Sequence, residues 1–418
     1  MADSPPAGVP HNPFRPGNGQ RPIYLAGRTT EQSQFLSMVK ERSIAQNAIV
    51  TGLRGVGKTV LLEELKPIAQ NNGWLWTGND LSESASLSED RIVRRIVVDL
   101  STLLSPIVQQ KQPQQAFGFT AETTEQQRPL EFNDLWKIYE NTPGLTDDKL
   151  KAVLTKVQAI LETTPLQGVI FAYDEAQNLS DHALAKEFPL SVLLDVFSFF
   201  QRSKSKARFM LVLTGLPTLF PKLNEARTYT ERMFHVMHLQ RLEDKDARQA
   251  IIKPIEITKS KLSFAENTIK DIMKMSAGYP YFIQFICKEV FDAWIGKITD
   301  GKAPSVPMQS ILDKLDQDFF SPRWARGTDR QQDFMKVIAT LSNADEEFSV
   351  QDIVAASRSL LIKGFNPSHA TQILQALAEK GLIYRNRRGG YCFAVPLLSQ
   401  FIQRQVWDPA SLRTQQTS

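Results

Sequence analysis

The 418-residue chain has only two cysteines, Cys287 and Cys392, and neither lies in a Cys-x-x-Cys or Cys/His cluster. That scarcity excludes a disulfide-stapled secreted domain and a structural zinc site. Charge of one sign is also lacking: 49 Lys and Arg face 45 Asp and Glu, leaving +4. This is too mild for a nucleic-acid coat protein, although a local basic patch fits within it. No run reaches the ~18 consecutive apolar residues of a membrane span. The first twenty residues hold five prolines and three glycines but no apolar core of a signal peptide. The expectation is a cytoplasmic protein with no membrane association. His11, His182, His235, His238 and His369 show no metal-ligand spacing. No serine elbow, paired-carboxylate site or internal repeat stands out. What is present is a chain 42% hydrophobic and 22% charged, which excludes a mostly disordered protein.

Residues 1–22, rich in Pro, Gly and Asn, read as a flexible arm. Between Ala48 and Leu239 short apolar runs alternate with amphipathic stretches. Asn47 to Thr51, Trp74 to Trp76, Gly168 to Tyr173, Arg208 to Thr214 and Phe234 to Leu239 read as strands. Glu31 to Arg42, Val60 to Asn71, Ser88 to Leu104, Thr146 to Glu162 and Leu190 to Phe200 read as helices. Such alternation predicts an α/β unit over 23–240, a mainly parallel sheet with helices on both faces. Residues 105–127, rich in Gln, Pro and Thr, read as a surface insertion. After Glu243 the strand signal vanishes, and a helical unit is expected over 241–300. A linker over 301–327, a third unit over 328–406 and a tail over 407–418 complete the chain.

Gly52-Leu53-Arg54-Gly55-Val56-Gly57-Lys58-Thr59 fits the G-x-x-x-x-G-K-[ST] pattern and sits between an apolar strand and an amphipathic helix. Glycines let backbone N–H groups curl around phosphate oxygens without a Cβ in the way. The helix entering through Lys58, Thr59 and Val60 aims its positive dipole end at the same anion. Lys58 is placed for the β- and γ-phosphates and Thr59 for Mg²⁺. The second half of such a site is an acid at the tip of a neighbouring buried strand, and Asp174-Glu175 after Tyr173 supplies it. Asp174 suits Mg²⁺, and Glu175 is placed to polarise an attacking water as general base. No Asn/Thr-Lys-x-Asp loop for guanine is present, so the expected cofactors are ATP and Mg²⁺ and the expected reaction is hydrolysis.

These landmarks together resemble the AAA+ superfamily, in particular its initiator-type and transposition-regulator branch, related to origin-recognition and STAND ATPases. Leu25-Ala-Gly27-Arg28-Thr-Thr-Glu31 resembles the box that packs beside adenine in that family. Thr214 stands at the sensor-1 strand position, where initiators often carry Asn. Arg232, with Arg227 as competitor, lies where the family places an arginine finger acting across a subunit boundary. That role implies a homo-oligomer formed on ATP binding. Gly278-Tyr279-Pro280 resembles the start of the lid helix facing the nucleotide. The initiators' lid arginine has no counterpart there, and Lys288 is the nearest basic residue beyond it.

In the third unit, three helices are followed by a hairpin of Leu382 to Arg385 and Tyr391 to Val395, an order that resembles a winged helix. In such folds the third helix can enter the major groove, where Ser368, His369 and Gln372 offer hydrogen bonds to bases. Arg385, Arg387 and Arg388 would give the hairpin a cationic tip suited to phosphates. The partners implied are duplex DNA or, alternatively, a protein, as in STAND signalling ATPases whose winged helix holds an off state.

Overall fold

The computed structural model describes residues 11–17, 19–41, 45–107, 109–114, 124–203, 208–260, 262–299, 307–360, 364–386 and 389–405. Helix α1 (Thr29–Lys40) leads into β1 (Asn47–Gly52), α2 (Lys58–Asn71), β2 (Trp74–Thr77) and α3 (Glu89–Leu104). A ribbon of β3 (Gln109–Gln114) and β4 (Thr124–Pro129) precedes α4 (Phe132–Asn141) and α5 (Thr146–Glu162). Then come β5 (Gly168–Tyr173), α6 (Pro189–Arg202), β6 (Phe209–Gly215), α7 (Leu219–Ala226), α8 (Thr230–Met233) and β7 (Phe234–Leu239).

Five strands form a parallel sheet in the order β2-β5-β6-β1-β7. The strands β1, β5 and β6 are buried along their whole length, as expected where helices cover both faces of a parallel sheet. Because side chains alternate across a strand, Ala48 and Val50 of β1 join the core beneath α1 and α2, while Ile49 joins the opposite one with residues of α3, α5 and α6. The α/β expectation is met. One detail differs: the strand carrying Asp174 does not neighbour the P-loop strand, since β6 pairs with both and lies between them. The surface insertion contains an antiparallel ribbon, with Gln109 opposite Pro129 and Gln114 opposite Thr124.

The chain then builds α9 (Asp244–Ile257), α10 (Glu266–Ser276) and α11 (Pro280–Thr299), the lid. Gly278 sits where only glycine fits. Its φ is +77°, and a Cβ there would lie 2.6 Å from the carbonyl oxygen of Leu242, whose N–H donates to Gly278 O at 2.8 Å.

Two expectations need correction. The flexible arm is seated from His11 onward, residues 1–10 lying outside the described residues. Phe14 is 2% exposed and packs on Phe264 and Phe291, and the Asn12 amide donates to Lys288 O and Asp292 Oδ1. The linker, from residue 307, is a helical connector of α12 (Met308–Leu315), a π turn (Asp316–Phe320) and α13 (Ser321–Trp324). It buries Ile311, Leu315, Phe319 and Phe320. Residues 301–306 and the tail from 406 lie outside the described residues.

The C-terminal unit consists of α14 (Asp329–Ala339), α15 (Val350–Leu360), α16 (Pro367–Glu379), the hairpin β8 (Ile383–Arg385) and β9 (Tyr391–Phe393), and α17 (Leu398–Arg404). One contiguous apolar core runs through lid, connector and this unit, so they are not beads on a string. Phe282 of α11 packs on Phe320, and Phe320 stacks on Phe401 of α17 at 5.3 Å. Among the described residues no helix is long and apolar enough to cross a membrane.

Candidate functional site

The P-loop joins the end of β1 to the start of α2, at the carboxyl edge of the sheet where α/β folds place ligands. Val56, 1% exposed, anchors the loop from below. Gly57 has φ +94°, and a Cβ built on it would meet nothing within 4 Å, so the open space is at the loop's mouth. Lys58 is buried, and its ammonium donates to Gly52 O at 2.9 Å and Leu53 O at 3.1 Å. Burial pushes its pKa down to about 8; Glu175 and Asp174 pull it up, and Arg54 pushes it down. A buried ammonium held only by neutral carbonyls is a standing invitation to an anion.

Asp174 gathers three donors. Thr59 Oγ1 donates to Oδ2 at 2.5 Å, while the Glu175 N–H (2.8 Å) and the Thr214 hydroxyl both donate to Oδ1. Thr214 reaches it because β6 intervenes between β1 and β5, so the interposed strand is what brings the sensor-1 residue onto the acid. Glu175 is exposed, has left-handed backbone (φ 51°) and accepts from the Gln177 side-chain amide. A third carboxylate, Asp80 after β2, was not singled out by the motif reading. Burial and the charges of Asp174 and Glu175 raise its pKa.

A cavity of about 430 Å³ opens over the loop. Its lining includes residues 54–60 and Glu175, the apolar Leu25, Ala26, Leu242 and Ala250, and Tyr24. Gly17, Gly19 and Gln20 of the seated arm line it too. The donor set fits a magnesium nucleotide: an ammonium, loop N–H groups, and a hydroxyl beside a carboxylate for the metal, with an apolar wall for a base.

Arg28 lines this cavity but is itself buried. It donates to Val56 O at 3.1 Å and Gln240 O at 2.8 Å and lies 3.8 Å from Glu31; burial lowers its pKa. It ties the P-loop to the chain entering the lid. Arg28→Met is expected to cost about 2–3 kcal/mol of stability by leaving the carbonyls of Gly27, Val56 and Gln240 without their charged donor, read as a lower urea midpoint. Pro280 opens α11 at the cavity, and the next N–H, of Tyr281, donates to Gly55 O at 3.1 Å. The lid is thereby hydrogen-bonded to the P-loop itself.

The two finger candidates separate. Arg227 is held by Asp195 through two bonds of 3.0 and 2.7 Å, whereas Arg232 is exposed on α8 and outside the cavity. Lys288 pairs with Asp292 at 2.8 Å and with Glu289, and does not line the cavity. The lid-side arginine that does line it is Arg323 of α13, hidden from sequence reading inside what looked like a linker.

On α16, Ser368 and Gln372 are exposed. His369 is half-buried, 3.3 Å from Arg330 and against the Phe365 ring; burial and Arg330 lower its pKa. Lys380, at the opposite end of α16, is turned to Arg326 O and Gln331 Oε1. Arg385 is exposed with its guanidinium 5.9 Å from the Tyr391 ring. Arg387 and Arg388 lie outside the described residues.

Comparison with known proteins agrees with this geometry. Residues 24–206 match the AAA ATPase domain family, and residues 317–402 match a domain of unknown function (DUF8462). No curated protein matches the chain. Among solved structures, a Walker-type ATPase of Pyrococcus abyssi superposes with a TM-score of 0.56 at 14% identity, covering 92% of this chain and 97% of that one. The ORC2 protein of Aeropyrum pernix in its ADP form superposes at 0.53 and 13% identity, covering 93% and 97%. Its ADPNP–ADP complexes give 0.52 and 12%, covering 95% and 98%. With a glycine loop, paired acids and a five-stranded parallel sheet in this arrangement, the chain carries an AAA+ P-loop ATPase domain of origin-recognition-like fold.

Proposed function

We propose that the protein binds ATP with Mg²⁺ in this cavity, hydrolyses it, and uses the nucleotide state to control contacts of its C-terminal unit with duplex DNA. The observation that carries the reading is the convergence of Lys58, Thr59 and Glu175 on one cavity, with buried Asp174 bonded to Thr59 and to Thr214 directly behind them. The same fold in the Aeropyrum pernix ORC2 protein holds ADPNP and ADP, which supports a nucleotide here.

Backbone N–H groups of residues 55–59 and the Lys58 ammonium bind the phosphates in this reading. Thr59 and Asp174 hold Mg²⁺, which neutralises charge on the phosphate oxygens when bound. Glu175, exposed on the cavity and steadied by Gln177, takes the proton of the attacking water. Thr214 keeps the Asp174 carboxylate aimed. Arg232 of one copy reaches the γ-phosphate held by another, so turnover rises with assembly.

DNA contact rests on Ser368, Gln372 and Arg385, exposed on one unit, with His369 beside Ser368 and with Arg387 and Arg388 following Arg385 in the sequence. Titrating the purified protein with labelled duplex, with and without a non-hydrolysable ATP analogue, tests this reading. Retention that depends on the analogue is expected. Replacing Arg387 and Arg388 by alanine should weaken binding and flatten the salt slope by about 2. A second reading has its own observation: the turn ending α16 lies against Arg54 of the P-loop, a contact suited to a unit that regulates the ATPase and meets a protein. Indifference to DNA at low salt would favour it.

A further inference from the structure

Of the four arginines that line the cavity, Arg15, Arg28, Arg54 and Arg323, two stand apart: Arg54 and Arg323 are part-buried and make no ion pair among the described residues. Arg54 stands on the P-loop and Arg323 on α13. The Nε atom of each is buried without a hydrogen-bond partner. Arg323 is otherwise held by one bond from Nη1 to Phe319 O and by lying 3.8 Å from the centre of the Phe319 ring. Burial lowers its pKa, and the positive charge of Arg54 adds to the effect. Two guanidinium groups that repel one another in a half-buried cleft, each with a donor left over, lack an anion. Their planar forks match the oxygens of a phosphate.

Arg54 also has a second neighbour. A Cβ built on Gly381 would lie 3.2 Å from Arg54 Nη2, so the guanidinium rests against the left-handed turn that closes α16. The adjoining Lys380 fastens that turn to the stretch between α13 and α14 through Arg326 O, and to α14 through Gln331. Arg54 thus faces the cavity and the C-terminal unit at once.

We propose that Arg54 and Arg323 form a terminal-phosphate subsite spanning the P-loop and the connector, which distinguishes a nucleoside triphosphate from the diphosphate and draws Arg54 off the Gly381 turn when the triphosphate binds. This deepens the ATP reading above and rests on it. The subsite adds donors from outside the P-loop, and it makes the grip on the C-terminal unit depend on the third phosphate.

The test compares ATP and ADP affinities of the full chain by calorimetry for wild type, Arg54→Gln, Arg323→Gln and Gly381→Asp. Each glutamine variant should weaken ATP about tenfold to a hundredfold, the worth of hydrogen bonds to a charged group, and ADP less than about twofold. Gly381→Asp places a carboxylate beside Arg54 without touching the cavity, and aspartate accepts the left-handed backbone; it should weaken ATP about tenfold and leave ADP unchanged. Hydrogen exchange over residues 379–383 should be faster with the ATP analogue than with ADP in wild type, and the difference should vanish in Arg54→Gln. Arg323→Lys should fall between wild type and Arg323→Gln, because it keeps the charge but not the fork. An unchanged ATP:ADP preference, or a parallel loss of both nucleotides, overturns the subsite. A wild-type chain that binds neither nucleotide overturns the ATP reading itself.

Discussion

Lys58→Ala should abolish ATP binding while leaving the protein folded. The ammonium is buried and already carries a desolvation penalty that brings its pKa to about 8. The fold therefore gains little from its charge, whereas a phosphate beside it gains a full counter-charge away from bulk water. Removing one partner of such a pair costs about 3–5 kcal/mol, which corresponds to roughly 10²–10⁴-fold in affinity. Calorimetry with Mg²⁺ and ATP reads the loss. A melting temperature equal to or above wild type should accompany it, because the substitution removes a buried charge whose desolvation the free protein has to bear. An affinity within about threefold of wild type would remove Lys58 from the site.

Glu175→Gln is expected to separate binding from turnover. The amide keeps the shape and can still bond to Gln177, but it cannot take a proton from water. A positioned general base contributes about 10²–10⁴ to rate, so phosphate release should fall by that factor with ATP affinity held. Single-turnover phosphate release beside a direct binding measurement checks this. Retained turnover would mean that another carboxylate activates the water, and Asp80, close enough to feel the charges of Asp174 and Glu175, is then the next residue to change.

Much of this site is readable before folding because a phosphate loop is local: eight consecutive residues supply the turn, the ammonium and the hydroxyl, and the flanking periodicities show strand and helix. The acids at 174 and 175 are readable for the same reason, as polar residues ending an apolar run. Non-local facts are not. Nothing in residues 209–215 announces that β6 slots between β1 and β5, yet that placement brings Thr214 onto Asp174. Arg323 is invisible because residues 301–327 read as linker, and only tertiary packing of Phe319 and Phe320 shows that the segment is core. Phe14 is lost in a Pro- and Gly-rich segment, whose composition speaks for local chain preference and not for one aromatic finding a pocket on α11. Helix α4 escapes because it follows a stretch dominated by Gln and Pro.

The aromatic contacts from Tyr281 and Phe282 through Phe319 and Phe320 to Phe401 have a mechanical consequence. Close-packed cores transmit displacement instead of absorbing it, so a shift of α11 at its contact with Gly55 is passed along this row of rings to α17 and not taken up locally.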